Sequence, residues 1–388
     1  MSGEPRTRPA PPLPDAPSGR RPGRLLVVMP SWVGDCVMAT PSLRVLRELL
    51  PGTFIGALLR PGLDQLLAGT TFFDAIHVDR AAGMMGPRRV AGRIRRFRFD
   101  TAILFTNSFS TALITRLAGI PWRLGYVRDG RGMLITDPLQ APRRRDVDPY
   151  RQSRTNPGGW APVPACRYYY RLASHLLADA GLSPGTMGPL ELVVTREEEL
   201  LAEDLLVRAR VTRGELSLRA TAVLNPGGND EAKRWPVDRY AALADYLAEH
   251  HDVRVLINGS PAERELTAAV AAACRPDTRP ILLADHGINL SILKAIIARS
   301  AVMVTNDTGP RHIAAAVGTP LVTLFGPTDP RWTTIPFEDE IIRVADPTLP
   351  REEVADDHPE RCRIDRIGLG DVVASVNELL TRRRVISE

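Results

Sequence analysis

The 388 residues predict an α/β chain with two Rossmann-type, doubly wound parallel sheets facing a cleft. Three observations carry this. Short runs of Val, Ile and Leu alternate with helical segments of about ten to fifteen residues, the pattern of parallel strands joined by crossover helices. The alternation runs to about residue 180 and then starts again. Polar, glycine-bearing loops follow several of the runs, at the strand ends where open α/β sheets bind ligands.

Residues 1–22 hold seven prolines and little that could pack, and read as a disordered tail. A first domain over 23–185 takes strands at 24–29, 55–59, 75–78 and 101–105. Its helices run from PSWVGD to 50, then over 63–67, 88–97, 110–118 and 167–180, and a loop rich in Arg, Pro and Gly fills 140–164. A second domain over 186–388 takes strands at 190–194, 222–224, 254–257, 281–283, 302–304 and 321–325. Helices at 197–210, 237–250, up to 273, 290–299, 310–317 and 369–380 complete it.

The stretch 302–330, VMVTNDTGPRHIAAAVGTPLVTLFGPTDP, is the most informative. A buried-type strand runs into Asn306-Asp307-Thr308-Gly309. Pro310 fits the first turn of a helix, where its missing N–H costs nothing. The free N–H groups around Thr308 and Gly309 suit an anion such as a diphosphate. An ordinary βαβ unit with Asp307 or Thr308 as N-cap fits equally.

Composition bounds the classes. Hydrophobic residues at 44% and charged ones at 24% fit a soluble globular protein. Cys36, Cys166, Cys274 and Cys362 show no metal spacing and read as reduced thiols in a cytoplasmic protein. No apolar run approaches a membrane span. The net charge of +5 is uneven. Residues 1–180 carry 26 basic against 13 acidic side chains, and 181–388 carry 24 against 32. Arginines cluster at Arg88, Arg89, Arg93, Arg95, Arg96 and Arg98, and again at Arg143, Arg144, Arg145, Arg151 and Arg154. A solvated surface explains them, and so does a face for an anionic membrane or lipid-linked substrate. Aromatic residues are only 5% and no nucleic-acid module is present, so a nucleic-acid partner is not expected.

Three further loops carry candidate chemistry. Ser31-Trp32-Val33-Gly34-Asp35 opens the first helix. Gly34 permits a tight turn, and the helix dipole favours ionised Asp35, as a general base or as a plain cap. Asn225-Pro226-Gly227-Gly228 runs to Lys233-Arg234-Trp235-Pro236. Gly227 and Gly228 allow close backbone approach, and Lys233 is one of two lysines among many arginines. A compact ammonium suits a phosphate oxygen. In the third loop, after the 254–257 strand, Glu263 fits a ribose ligand or a first-turn glutamate. His312 follows the 306–309 turn, reaching the cleft or simply packed. The seven histidines show no metal spacing, and Asp146-Val147-Asp148 sits in a probable loop, so no metal or cofactor is expected. G-x-G-x-x-G, P-loop and nucleophile-elbow motifs are absent.

Together PSWVGD, AKRWP and NDTGPRHIAAAVGTPLVTLFGPTDP resemble the ADP-heptose:lipopolysaccharide heptosyltransferases of glycosyltransferase family 9, heptosyltransferase II type, over about 24–382. The resemblance implies a metal-independent, GT-B-like enzyme with an acceptor domain followed by a nucleotide-sugar domain. It makes Asp35 the general base of an inverting displacement, with Lys233 neutralising the leaving diphosphate. Backbone N–H groups of Thr308 and Gly309 would hold that diphosphate, and Glu263 the ribose. Asn225, Gly227, Gly228, Asp307 and His312 would also line the ADP-heptose site, and Ser31, Trp32 and Gly34 the acceptor site. The acceptor would be a phosphorylated inner-core glycolipid at the inner face of the cytoplasmic membrane. The 141–165 segment and Pro310-Arg311 depart from the family pattern. Another nucleotide-sugar transferase or epimerase, or a catalytically idle relative, is the alternative.

Overall fold

The computed structural model describes residues 19–79, 85–153, 155–156, 158–209, 220–251 and 253–387. Residues 1–18 of the proline-rich tail and Arg154 lie outside the described residues. The first sheet comprises β1 (Arg24–Val28), β2 (Phe54–Leu59), β3 (Ala75–Val78), β4 (Thr101–Leu104), β5 (Trp122–Val127) and β6 (Asp137–Gln140). The second comprises β7 (Thr221–Asn225), β8 (Arg254–Ile257), β9 (Ile281–Leu282), β10 (Val302–Asn306), β11 (Leu321–Phe325) and β12 (Glu340–Val344). Their orders are β3-β2-β1-β4-β5-β6 and β12-β11-β10-β7-β8-β9. Every paired strand is parallel. Counted within each sheet, both follow the order 3-2-1-4-5-6, with the switch point at β1/β4 and at β7/β10.

Helices of the first half are α1 (Val33–Met38), α2 (Thr40–Leu49), α3 (Leu63–Leu66), α4 (Gly86–Arg95), α5 (Phe109–Leu117) and α6 (Ala165–Asp179). Those of the second are α7 (Arg196–Arg208), α8 (Val237–His251), α9 (Arg264–Ala273), α10 (Leu290–Arg299), α11 (Gly309–Ala316) and α12 (Leu369–Ser387). Strand alternation buries both faces of each sheet. Leu25 and Val27 join one core and Leu26 and Val28 another. The core of Leu25 and Val27 also takes Val223 and Met303 of the second sheet, so the two halves share it.

The structure corrects several expectations. Residues 190–194 form no strand and pair with none among the described residues. Leu190 and Leu192 are buried, while Thr40 Oγ1 accepts the Glu191 N–H at 3.0 Å in place of a ladder carbonyl. The helix expected to reach 50 breaks at Ala39 into α1 and α2. Strands β5, β6 and β12 were not foreseen. Each carries charged residues, and β6 carries Pro138, as an edge strand can. The described residues of the 140–164 loop gather around Arg144, which is 3% exposed and pairs with Asp357. Arg143 stacks over Trp160 at 3.4 Å. The second arginine cluster is therefore partly a tie between the halves and not one solvated face. The exposed Asp146 and Asp148 pair with Arg145 and Arg151.

Candidate active site

Loops leaving β1, β7, β8 and β10 meet at one cleft with about 1610 Å³ of open space. It is lined by Trp32, Gly34, Asp35, Asn225, Gly227, Gly228, Lys233, Glu263, Asp307, Thr308, Gly309 and His312. Ser31 alone among the expected residues lies elsewhere, in a pocket with Arg60, Ser108 and Thr111. It turns away because Trp32 is the N-cap of α1 and points into the cleft, 65% exposed.

The second-half wall is a web of short side chains. Asn225 donates to Thr305 Oγ1 and Thr308 Oγ1, both at 3.0 Å, and accepts from Asn258 at 2.6 Å. Asn306 donates to the carbonyls of Pro226 at 2.9 Å and Gly227 at 3.1 Å. Its Oδ1 accepts from Tyr240 at 3.0 Å and from the Trp235 N–H at 3.3 Å. Sequence reasoning gave Asn306 and Asn258 no such role, because each acts on a loop about 30 to 80 positions away. Trp235 is buried and donates to the Ile367 carbonyl at 2.9 Å, and Arg234 donates twice to the Gly228 carbonyl. Within Lys-Arg-Trp, then, tryptophan anchors and arginine clamps the glycine loop. Lys233 is left facing the cleft with no ion-pair partner among the described residues.

Thr308 is the N-cap residue of α11, yet its hydroxyl does not cap the helix. The hydroxyl is taken up by Asn225 instead. No side chain closes the helix start, which keeps its anion-binding character. Asp307 is not a cap either. Its Oδ1 accepts from Arg311 at 3.1 Å and Thr333 at 3.2 Å. Glu263 is heavily engaged, accepting from the Gly228 N–H at 2.9 Å and from the Ser260 N–H and hydroxyl, both at 2.8 Å. A Cβ on Gly227 would lie 2.2 Å from Glu263 Oε1, so this glycine makes room for the carboxylate. Gly228 has more open surroundings and meets nothing closer than 3.6 Å.

The halves touch here. A Cβ on Gly34 would lie 2.5 Å from His312 Cδ2, and one on Gly309 would lie 2.9 Å from Val33 Cβ. Gly34 thus serves the approach of α1 to α11, not the tight turn its sequence position suggested. His312 is 3% exposed, and its Nδ1 has no hydrogen-bond partner among the described residues. Burial, and then the adjacent Arg311 charge, hold it well below the usual imidazole value, so it is neutral. Arg311, which departs from the family pattern, is fully buried. It pairs with both Glu340 oxygens at 2.7 and 3.0 Å, and with Asp307 and Thr333, over the Phe325 ring. It therefore fixes two residues of the cleft wall.

Asp35 stands on the first-half wall. Its Oδ1 accepts from Tyr169 on α6 at 2.7 Å. Burial raises its pKa, the Tyr169 hydrogen bond opposes this, and Asp307 across the cleft adds to the rise. Asp35 also lines a second pocket of about 690 Å³ with Asn107, Arg128, Trp160, Tyr168, Tyr169, Trp332 and Thr333. None of these partners was visible in sequence, because they come from distant parts of the chain, α6 among them.

One histidine does meet carboxylates. The ligand atoms of Asp137, His175 and Asp179 lie within 4.8 Å of one another, a spacing that a cation could bridge. None of the three lines the cleft. His175 Nε2 donates to Asp137 at 3.1 Å and Trp122 Nε1 donates to its other oxygen at 2.9 Å, tying β6 to α6.

Known proteins match this arrangement. The profile of glycosyltransferase family 9 (heptosyltransferase) matches residues 194–360. Lipooligosaccharide heptosyltransferase 2 of Haemophilus influenzae is 30% identical over 332 residues, covering 84% of this chain and 90% of that one. Lipopolysaccharide heptosyltransferase 2 of Salmonella typhimurium is 29% identical over 319 residues, covering 80% and 84%. The solved structure of E. coli ADP-heptose LPS heptosyltransferase II superposes with a TM-score of 0.74 at 24% identity, over 93% of this chain and 99% of that one. The fold is the GT-B-like pair of Rossmann-type sheets, and the chain is a glycosyltransferase that belongs to glycosyltransferase family 9.

Proposed function

We propose that this enzyme transfers heptose from ADP-heptose to a phosphorylated glycolipid acceptor of the lipopolysaccharide inner core, with inversion and with Asp35 as general base. The carrying observation is the place of Asp35, which with Thr333 is shared by the polar cleft and the aromatic pocket among the described residues. A donor in the cleft and an acceptor in the aromatic pocket would meet at its carboxylate. The cleft supplies an ammonium at Lys233 and an uncapped helix start at Gly309 for the diphosphate. Both counter the charge that builds on the leaving group, so the reaction needs no divalent metal. Burial strengthens Asp35 as a base relative to an exposed aspartate. Glu263 acts chiefly by holding the Gly228 loop, with its remaining lone pairs free for ribose hydroxyls. With a domain division at 185/186, the first half supplies most of the acceptor wall, joined by Trp332 and Thr333, and the second half most of the donor wall, joined by Trp32, Gly34 and Asp35. The excess of basic residues in the first 180 supports a reading in which that half faces an anionic inner membrane surface. Among the described residues no helix is long and apolar enough to cross a membrane.

The test is product formation with a panel of nucleotide sugars and a deacylated inner-core acceptor, with and without EDTA. ADP-heptose should turn over in both conditions, with inversion at the anomeric carbon. Preference for a UDP- or GDP-sugar, or loss of activity in EDTA restored by Mg²⁺, would overturn this reading.

A further inference from the structure

Five large apolar side chains of the first half are exposed among the described residues; Trp32 lines the cleft and Ile76 lies within the edge strand β3, and the other three lie in or beside the loops that follow β3, β4 and β5. Met85 is 52% exposed, Phe109 46% and Met133 83%. Met85 precedes α4 and follows β3, Phe109 opens α5 after β4, and Met133 follows β5. Parallel strands end on a common edge, so all three stand on the carboxyl edge of the first sheet. From β3 to β5 the sheet takes four steps, roughly 20 Å at the usual strand spacing. No large hydrophobic of the second sheet's carboxyl edge is exposed among the described residues; those of the second half are Val193, Leu200, Leu201 and Val207.

The Met133 tip is built, not loose. Arg131 is fully buried, and its guanidinium donates to the Tyr126 carbonyl at 3.1 Å, to Asn107 Oδ1 at 3.1 Å and to the Thr106 carbonyl. These bonds tie the 131–134 turn to the segment that leads into Phe109. Leu134 packs in the same core as Ala112 of α5. Around the tips stand the exposed Arg60, Arg88 and Arg89. The pocket of Ser31, Arg60, Ser108 and Thr111 lies on this edge too. By contrast Arg95, Arg96 and Arg98 lie at the far end of α4, which returns to the start of β4, whereas Arg93 reaches back to the Val78 carbonyl at the end of β3 at 3.3 Å. At that far end Arg95 reaches the Leu117 carbonyl at 2.5 Å, and Phe97 receives a bond from Arg24 at the start of β1.

We infer that the carboxyl edge of the first sheet docks on an anionic lipid bilayer, with Met85, Phe109 and Met133 entering the headgroup layer and Arg60, Arg88 and Arg89 pairing with lipid phosphates. This deepens the proposed glycolipid reading, because the same edge carries the pockets beside Asp35. It also replaces the Arg95–Arg98 end of α4 as the contact. Apolar tips plus a few cations give reversible attachment that salt weakens without abolishing.

The experiment compares three full-length proteins, native, Met85→Ser/Phe109→Ser/Met133→Ser, and Arg95→Ser/Arg96→Ser/Arg98→Ser. Each is sedimented with phosphatidylglycerol-containing or pure phosphatidylcholine vesicles across a salt series. The native chain should bind the anionic vesicles, the triple apolar variant should lose about tenfold or more of that binding, and the arginine variant should lose little. A fluorophore on Met133→Cys should shift to the blue with anionic vesicles, and one on Arg96→Cys should not. Loss confined to the arginine variant, a shift at Arg96→Cys alone, or no vesicle binding by the native chain would overturn the inference. Turnover of a deacylated acceptor is read in parallel. The triple variant should keep it, so failure of docking and failure of the transferase reading give different patterns.

Discussion

The two sheets share one strand order, yet their carboxyl edges are built by opposite means. The second edge is a set of short polar side chains that bind one another, with Asn225, Asn258, Asn306, Thr305 and Thr308 linking three loops. The first edge holds the partly buried Asp35, with large aromatic groups and Arg128 around it. The difference matches two tasks. A rigid polar web suits a ligand of fixed shape such as a nucleotide diphosphate, because its dipoles need no rearrangement on binding. A roomy aromatic wall beside a single base suits a variable partner. The comparison breaks if changes on the first edge weaken nucleotide binding, or if changes on the second leave it intact.

The largest effect is expected at Asp35. Asp35→Asn keeps the shape and removes the proposed base, so turnover should fall by roughly two to four orders of magnitude. ADP affinity by calorimetry should be nearly unchanged. Turnover close to native would remove Asp35 from the chemistry and leave the first edge without a base.

Lys233→Ala is the counterpart on the second edge. A charge-assisted contact contributes about 1.5–3 kcal/mol. ADP affinity and turnover should both drop, turnover more, since charge grows on the departing diphosphate. Unchanged values of both would make Lys233 a surface residue.

Gly227→Ala tests the web itself. Its Cβ would meet Glu263 Oε1 at 2.2 Å, so the Gly228–Glu263 bond must give way. A cost of about 1–3 kcal/mol is usual for overpacking a tight site. It should appear as weaker ADP binding with the acceptor KM unchanged. A change in the acceptor KM alone would contradict the division of labour between the edges.

The second edge was legible in sequence because its pieces are local. Asn306 to Gly309 and Lys233 to Pro236 each lie within four residues, and glycine, proline and asparagine mark the turns. Strand alternation and the repeated start were legible for the same reason. What sequence hid depends on distance along the chain. Tyr169 reaches Asp35 across 134 positions, and Arg144 reaches Asp357 across 213. Gly34 looked like a turn residue, since nothing local shows that His312 fills the space beside it. Arg311 looked foreign because a lone arginine in an apolar helix gives no sign of Glu340 on an edge strand.

The smallest effect is the most diagnostic, and it concerns Tyr169. Asp35 must be ionised to accept a proton, so activity should follow the ionised fraction and fall on the acid side. Burial places that fall at a higher pH than an ordinary aspartate would show. The Tyr169 hydroxyl donates to the carboxylate at 2.7 Å and favours the ionised form, which lowers the pKa. In Tyr169→Phe the ring still excludes water but the donor is gone. The pKa of Asp35 should therefore rise further, and the acid limb of kcat/KM should move to higher pH. Above the limb turnover should hold, since a base of higher pKa is intrinsically stronger. ADP affinity should not change at any pH, because Tyr169 lines the aromatic pocket and not the polar cleft. A limb that stays in place, or moves to lower pH, would mean that another group titrates. A loss of ADP affinity would mean that the aromatic wall and the polar web act as one site.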